Sequence, residues 1–427
     1  MNDRYLAYKI LNKIEHDKSY SNITVDAALN SEGAVSAHFV SALVYGVIER
    51  KLTIDYMLSK YLTKPLKKLN PQVLTVLRLG TYQIKYMDKV PNSAAVNECV
   101  KLLKKTKFSY ASGLVNSVLR KISENEIELP DTDDFAYNLS IKYSCNKDIV
   151  EHYIEDYGLE NTENVLKESI GSAPFTIRVN TLKVSEDELV ELLLKENIEA
   201  VKTDLENCLV IKNSGDIFKT NCYKKGFFHI QDMASQICIN TLSPCENDTV
   251  FDMCAAPGGK SFTIAEYMKN KGNIYSFDLY EQRVNLINDG AKNLGINIIT
   301  GKVADASQYN KDLPMADKIL CDVPCSGLGV IRRKPEIKYK DIGFIDKLCD
   351  LQYNIIDCAS KYLKSGGALV YSTCSLNKKE NQYICDKFLS NNPSFTKVSL
   401  SEDDGYLTLM PHKNHTDGFF IAKFYKG

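Results

Sequence analysis

From about residue 231 onward, short β-rich runs alternate with stretches of helical pattern, and no other feature of the chain restricts its fold as tightly. The runs are Thr249–Asp252, Ile274–Asp278, Ile296–Ile299, Lys318–Asp322, Ala368–Thr373 and Phe419–Phe424. Strands separated by helices at this spacing build a mostly parallel sheet with helices on both faces. An α/β domain is therefore predicted over residues 231–427. Ligands of such sheets bind beyond the carboxyl ends of the strands, so the turns that follow each run are where chemistry should be sought.

The front of the chain follows another pattern. Apolar residues recur at three and four in Leu6, Ile10, Leu11 and Ile14, again in Val40, Leu43, Val44, Val47 and Ile48, and again in Val73, Leu74, Val76, Leu77 and Leu79. That period predicts amphipathic helices, and residues 1–128 read as an all-helical domain. Ser93 is predicted to cap a helix running to Lys105. The stretch Glu-Leu-Pro-Asp-Thr-Asp-Asp around 128–140 reads as a linker. Beyond it, residues 141–170 read as helical, Phe175–Asn180 as a strand, Glu186–Lys195 as a helix and Cys208–Ile211 as a strand. These make a small α+β module over 140–230.

Charge bears on partners. The net charge is -1, but residues 1–130 carry 19 Lys and Arg against 12 Asp and Glu. A basic front end suits an anionic partner such as nucleic acid, although a solvated helical surface explains the same excess. No apolar run approaches the ~18 residues of a membrane span. The first twenty residues lack the apolar centre of a signal peptide, so the cytoplasm is the predicted compartment. The 13 cysteines are odd in number and scattered, without Cys-x-x-Cys, which predicts reduced thiols rather than a disulfide framework. His412 and His415 lack a second ligand pair, and no metal site is predicted.

Four turns carry the chemical signals. The first is Val250-Phe251-Asp252-Met253-Cys254-Ala255-Ala256-Pro257-Gly258-Gly259-Lys260, an apolar run entering a glycine turn and then a helix. Glycines let backbone N–H groups approach a ligand, and a helix N-terminus favours an anion. Neither a Walker nor a G-x-G-x-x-G spacing is present. Asp278 ends the next run, about twenty residues past the glycines, where an acid can hold ribose hydroxyls. Arg283 is placed in the same cofactor set. Asp305 follows the third run and could meet an adenine amino group; helix capping is the rival reading for both acids. The third signal is Asp322-Val323-Pro324-Cys325-Ser326-Gly327, and the fourth is Ser372-Thr373-Cys374-Ser375. A single cysteine at a strand end is most often a small buried hydrophobe. Two of them on one sheet edge point to thiol chemistry.

The set Asp-x-x-Cys-Ala-Ala-Pro-Gly-Gly-Lys, Asp-x-Pro-Cys-Ser-Gly and Ser-Thr-Cys-Ser resembles the RNA cytosine-C5 methyltransferases of the Nop2/Sun/Fmu group over residues 140–427. Residues 1–128 resemble the helical NusB RNA-binding domain. The resemblance implies a Rossmann-like domain that uses S-adenosylmethionine. It implies a preceding RRM-like α+β module and methylation of a cytosine of free or partly assembled small-subunit (16S) rRNA, by a monomer. It implies that Cys254, Ala255, Ala256, Pro257, Gly258, Gly259 and Lys260 surround the methionine part of the cofactor. Asp278 takes the ribose, Asp305 the adenine, and Asp322 stands between cofactor and base. Cys374 matches the family nucleophile, and Cys325 the cysteine that helps release product. Arg332, Arg333 and Lys334 match a basic stretch assigned to RNA. Gln231-Asp232 with Ser235-Gln236 match an entry helix, and Asp417-Gly418-Phe419-Phe420 a closing strand. Val323, Leu328 and Lys334 depart from the usual alanine, threonine and histidine. Lys67, Lys68, Lys104 and Lys105, with Lys64, Lys101 and Lys107, are the basic clusters of the helical domain and candidate phosphate contacts.

Three other readings compete. A small-molecule or protein methyltransferase could use the same fold but would need no thiol nucleophile. A non-catalytic assembly factor would not need both thiols and the acid. A tRNA substrate is disfavoured only by the helical front domain.

Overall fold

The computed structural model describes residues 3–17, 21–32, 36–213 and 217–427. The chain divides into two compact units, Met1–Gly171 with Ile331–Asp341, and Ser172–Val330 with Ile342–Gly427.

The first unit is helical. Its helices include Asp3–Asp17, Ala37–Glu49, Lys51–Ser59, Pro71–Tyr86, Asn92–Lys104 and Ser112–Glu124, followed by Phe135–Tyr143 and Lys147–Glu168. The residues spaced at three and four in the sequence form its core, with Leu6, Ile10, Val40, Val44, Val76 and Leu77 all buried. Helix Pro71–Tyr86 starts cleanly because Asn70 accepts a hydrogen bond from the Gln72 N–H and Pro71 needs no donor there. Ser93 does not cap its helix. The N-cap position is Pro91, and Ser93 lies inside the first turn. The segment after the Pro-Cys loop docks in this unit, where buried Lys338 donates to the Tyr143 carbonyl and Ser21 Oγ donates to Glu336.

The second unit holds two sheets. Strands β1 (Phe175–Val179), β2 (Glu199–Lys202), β3 (Cys208–Asn213) and β4 (Phe228–Ile230) form a four-stranded sheet in the order β2-β3-β1-β4. Helix Glu186–Lys195 covers one face through Leu189 and Leu193, packed with Ile177, Val179 and Phe228.

The larger sheet comprises β5 (Thr249–Asp252), β6 (Asn273–Asp278), β7 (Ile299–Val303), β8 (Ala316–Asp322), β9 (Leu363–Thr373), β10 (Phe395–Val398), β11 (Leu407–Leu409) and β12 (Phe419–Lys426). Its order is β10-β12-β9-β8-β5-β6-β7, with β11 paired to β12. Strands β5 to β9 run parallel, and β12 returns antiparallel to β9. The third strand lies later than the apolar run Ile296–Ile299 predicts. Ile296 closes the preceding helix by donating its N–H to the Ala291 carbonyl, and pairing with β6 begins at Ile299.

Alternate side chains of the central strands enter opposite cores. Phe251, Ile319, Leu369, Tyr371 and Phe420 face helices Ile345–Ser360 and Gln382–Asn391. Val250, Leu320, Val370 and Ile421 face helices Met233–Leu242 and Gly259–Tyr267. Burial on both faces is why these strands read as continuous apolar runs rather than alternating ones.

The small sheet is joined to the larger one by an ion pair. Arg178 on β1 donates to Glu266 on helix Gly259–Tyr267 at 2.9 Å, with both side chains almost fully buried. Removing one member strands the other charge, which costs about 3–5 kcal/mol. Glu266→Ala is therefore expected to lower stability by that amount in denaturant unfolding. The double replacement Arg178→Met with Glu266→Leu is expected to recover most of the loss.

Candidate functional site

The chain passes from β5 to β6 to β7 on one side of β5, then places β8 on the other side. This reversal opens a crevice between the turns after β5 and β8, the usual ligand position of a doubly wound sheet. Asp252 ends β5, Asp278 ends β6 and Asp322 ends β8. The glycine turn follows Asp252. Gly258 has φ of 110° and caps helix Gly259–Tyr267, a conformation that a side chain would strain.

Within this turn Lys260 and Asp322 meet at 2.7 Å, and Ser372 Oγ donates to the other Asp322 oxygen at 2.9 Å. Lys260 also lies over the Phe419 ring, 5.4 Å from its centre. Burial disfavours the Lys260 ammonium, but the Asp322 carboxylate outweighs it and raises the lysine pKa.

A cavity of about 230 Å³ opens beside this pair, lined by Gln231, Asp232, Ser235, Asp252, the glycine turn and Asp322. Two of its polar atoms lack partners. Asp252 is fully buried; Oδ2 accepts from Ser261 Oγ at 2.7 Å, and Oδ1 accepts from nothing. Gln231 Nε2 is a buried donor without an acceptor. An orphan acceptor and an orphan donor among the lining residues suit a ligand carrying an ammonium and a carboxylate, the ends of a methionine moiety. Burial pushes the Asp252 carboxyl up to about 7. A bound cation would restore its charge.

The predicted nucleoside residues continue the crevice. Asp278 is buried, accepts from the Tyr280 N–H and pairs with Arg283 at 3.2 Å. Arg283 also donates to the Ala256 carbonyl at 3.0 Å, bracing the glycine turn against β6. Asp305 is exposed, and one of its oxygens already caps Ser307 N–H and Oγ at 2.9 and 2.7 Å.

The two cysteines converge. Cys325 lies three residues past Asp322 and Cys374 directly after β9, and their sulfurs are 3.1 Å apart. Backbone bonds knit their loops, since Gly329 N–H donates to the Cys374 carbonyl and Gly418 N–H to the Gly329 carbonyl, both at 2.9 Å. A Cβ on Gly329 would strike the Gly418 carbonyl oxygen, so this crossing admits only glycine. Both cysteine residues are partly exposed, although the Cys325 sulfur itself is buried. Partial exposure is not confined to them, because Cys254 and Cys349 share it and Cys245 is exposed. What sets the pair apart is its contact. The Cys325 thiol is raised far above its ordinary range, first by its hydrogen bond to the Cys374 sulfur, then by burial, then by the Cys374 and Glu380 charges.

The basic residues belong to the helical unit. Arg332 is half-buried and paired with Glu168 at 3.4 Å, Arg333 is half-buried, and Lys334 is exposed, all in the segment that packs with the helical unit. Lys67 and Lys68 are exposed on the turn Leu66–Lys68, and Lys104 and Lys105 at the end of helix Asn92–Lys104. Asp252 stood outside the predicted cofactor set, which began at Cys254. Its signal was its place as the last residue of the run before the glycines.

Sheet order, glycine turn and acids at successive strand ends define a Rossmann-like methyltransferase. Residues 239–425 match the family described as 16S rRNA methyltransferase RsmB/F, residues 1–124 the NusB family, and residues 147–218 the RsmF/B-like ferredoxin-like domain. A probable ribosomal RNA small subunit methyltransferase B of Bacillus subtilis is 36% identical over 440 residues, covering 99% of this chain and 98% of the relative. A solved methyltransferase homolog protein from Pyrococcus horikoshii is 28% identical with a TM-score of 0.63, covering 70% of this chain and 100% of that one. NSun6 from the same organism, solved with SFG, is 25% identical with a TM-score of 0.61 over 66% of this chain and 98% of that one. The chain belongs to the 16S rRNA methyltransferase RsmB/F family.

Asp252→Asn keeps the shape of the cavity but removes the charge that meets an ammonium. A hydrogen bond to a charged group is worth about 1.5–3 kcal/mol, so S-adenosylmethionine should bind roughly 10- to 100-fold more weakly by calorimetry. In the unsubstituted protein affinity should fall as pH drops below about 7, because the Asp252 carboxyl then takes a proton. The Asp252→Asn variant should lose that dependence.

Proposed function

We propose that this protein methylates carbon 5 of a cytosine in 16S rRNA with S-adenosylmethionine as donor, through a transient bond from Cys374 to carbon 6 of the ring. The observation that carries the reading is the pair of sulfurs 3.1 Å apart in the loops that follow β8 and β9, the first of which begins at Asp322. The names of the relatives support the rRNA substrate. The NSun6 neighbour solved with SFG, an S-adenosylmethionine analogue, supports the cofactor.

Carbon 5 of cytosine is a weak nucleophile. Addition of the Cys374 thiolate to carbon 6 pushes electrons toward ring nitrogen 3 and makes carbon 5 enamine-like. Cys374 is given this role because it stands directly after β9, in the Ser-Thr-Cys-Ser stretch that matches the family nucleophile. As the adduct forms, nitrogen 3 takes a proton from solvent, and the Asp322 carboxyl, bonded to Lys260 and Ser372, accepts a hydrogen bond from that N–H. Bound in the cavity, S-adenosylmethionine supplies the methyl group that carbon 5 takes up. Once the Cys374 sulfur is a thioether, its charge no longer opposes ionisation of Cys325. Cys325 then gives its proton to solvent and, as thiolate, takes the one on carbon 5. The electron pair re-forms the C5=C6 double bond, the C–S bond breaks, Cys374 leaves as thiolate, and nitrogen 3 returns its proton to solvent.

The target base must lie outside a stack for a thiol to reach carbon 6. Lysines 67, 68, 104 and 105 are exposed cations of the helical unit and are proposed to meet phosphates. Arg332 is a weaker candidate, since Glu168 already engages its charge.

Cys374→Ala is expected to abolish 5-methylcytosine, read by bisulfite sequencing of 16S rRNA from a complemented deletion strain. Cys325→Ala is expected to accumulate a covalent protein–RNA adduct on denaturing gels. Full methylation by Cys374→Ala would assign the nucleophile elsewhere. Replacing the four lysines with alanine should flatten the salt dependence of RNA binding and leave S-adenosylmethionine affinity unchanged.

A further inference from the structure

Behind the thiol pair lies a carboxylate that the mechanism does not use. Glu380 is fully buried. It accepts four hydrogen bonds, from Ser326 N–H at 2.8 Å, Ser326 Oγ at 2.5 Å, Ser375 Oγ at 2.7 Å and Gln352 Nε2 at 3.0 Å. Ser326 directly follows Cys325, and Ser375 directly follows Cys374. Gln352 completes the arrangement, since the same nitrogen donates to the Pro324 carbonyl at 2.9 Å on the other side of Cys325. The Glu380 backbone is fixed in turn by the Tyr371 hydroxyl at 2.6 Å.

We propose that Glu380 is a positioning residue for the reaction: one buried carboxylate grips the serine after each cysteine and so sets the separation of the two sulfurs. The inference rests on the proposed roles of Cys374 and Cys325. Three features carry it. The two serine hydroxyls also meet each other at 3.0 Å, and Glu380 lies on both, so one carboxylate from a third segment closes the contact between the cysteine loops. All four donors are neutral, so the anion is held by directed hydrogen bonds whose geometry it fixes. Its two oxygens sort the contacts, with both serine hydroxyls on Oε2 and the Ser326 N–H and Gln352 on Oε1. The charge has a second effect, because it adds to the forces that keep the proton on Cys325.

Reach and charge separate by substitution. Glu380→Asp keeps the charge but is one methylene short of spanning both loops. Glu380→Gln keeps the length and lets the serine hydroxyls turn to accept from its amide, but removes the charge. Methyl transfer is measured on an unmodified 16S rRNA transcript with labelled S-adenosylmethionine, and thiol alkylation by iodoacetamide is followed against pH, cysteine by cysteine, by mass spectrometry. A misplacement near 1 Å costs about 100-fold. Glu380→Asp is therefore expected to lower kcat about 100-fold with the KM for S-adenosylmethionine unchanged. Glu380→Gln is expected to retain more activity than Glu380→Asp and to move Cys325 alkylation to lower pH. Near-normal kcat in Glu380→Asp, an unmoved Cys325 profile in Glu380→Gln, or a KM that worsens together with kcat would overturn the proposal. If Glu380→Asp fails to fold, the double variant Ser326→Ala with Ser375→Ala removes the same grip and must reproduce the kcat loss. Cys374→Ala in the same assay separates the two claims. A dead Cys374→Ala beside a normal Glu380→Asp rejects the positioning role alone, whereas an active Cys374→Ala rejects the reading on which it rests.

Discussion

Strand β8 lies beside β5 instead of beyond β7, and the placement of every polar group in the site follows from that reversal. Parallel neighbours send their following turns to the same edge of the sheet. Where the winding changes direction, the two turns diverge and leave a crevice rather than a closed seam. Asp252 and Asp322 stand on its two walls, with the Lys260 ammonium bonded to Asp322. Were β8 added at the β7 edge, Lys260 could not reach Asp322, and the turn carrying Cys325 would be two strands away from the glycines.

The same edge accommodates several buried polar groups at some cost in stability. Asp252 loses hydration without gaining a full set of partners, and its raised pKa reports that loss. Cys325 bears a thiol made harder to ionise by its neighbour, by burial and by Glu380. Arrangements of this kind persist where structure around them is dense enough to hold them. Here the density comes from backbone, in the Gly329–Cys374 and Gly418–Gly329 hydrogen bonds that cross three loops. Side chains alone could relax away from one another; main-chain bonds between strand ends cannot move without disturbing β9 and β12.

Much of the second unit was legible because a strand covered on both faces must be apolar throughout. Val250-Phe251 and Ile319-Leu320-Cys321 therefore stand out as runs. The same rule misplaced β7. Ile296 is buried because it closes a helix, not because it pairs, and an apolar residue does not say which neighbour buries it. Ser93 shows a related failure. Its residue type favours a cap, but the helix starts two residues earlier, where the Pro91 carbonyl accepts the first helical N–H groups from Ala94 and Ala95, and Ser93 falls inside the turn.

The thiols stand out for a different reason: one cysteine at a strand end reads as a small buried hydrophobe, but two on the same sheet edge do not. Acids give no comparable signal. Asp322, Asp252 and Glu380 are the same functional group in unremarkable local sequence, yet one is ion-paired, one is short of a partner and one is held by four neutral donors. What distinguishes them is the company that tertiary folding brings. Glu380 meets Ser326 across 54 residues of chain, and Asp322 meets Lys260 from a neighbouring strand. Spacing along the chain can locate a carboxylate at a strand end. Whether that carboxylate binds a ligand, fixes a lysine or braces a pair of loops depends on which donors surround it, and those donors are assembled only when β5, β8 and β9 lie side by side.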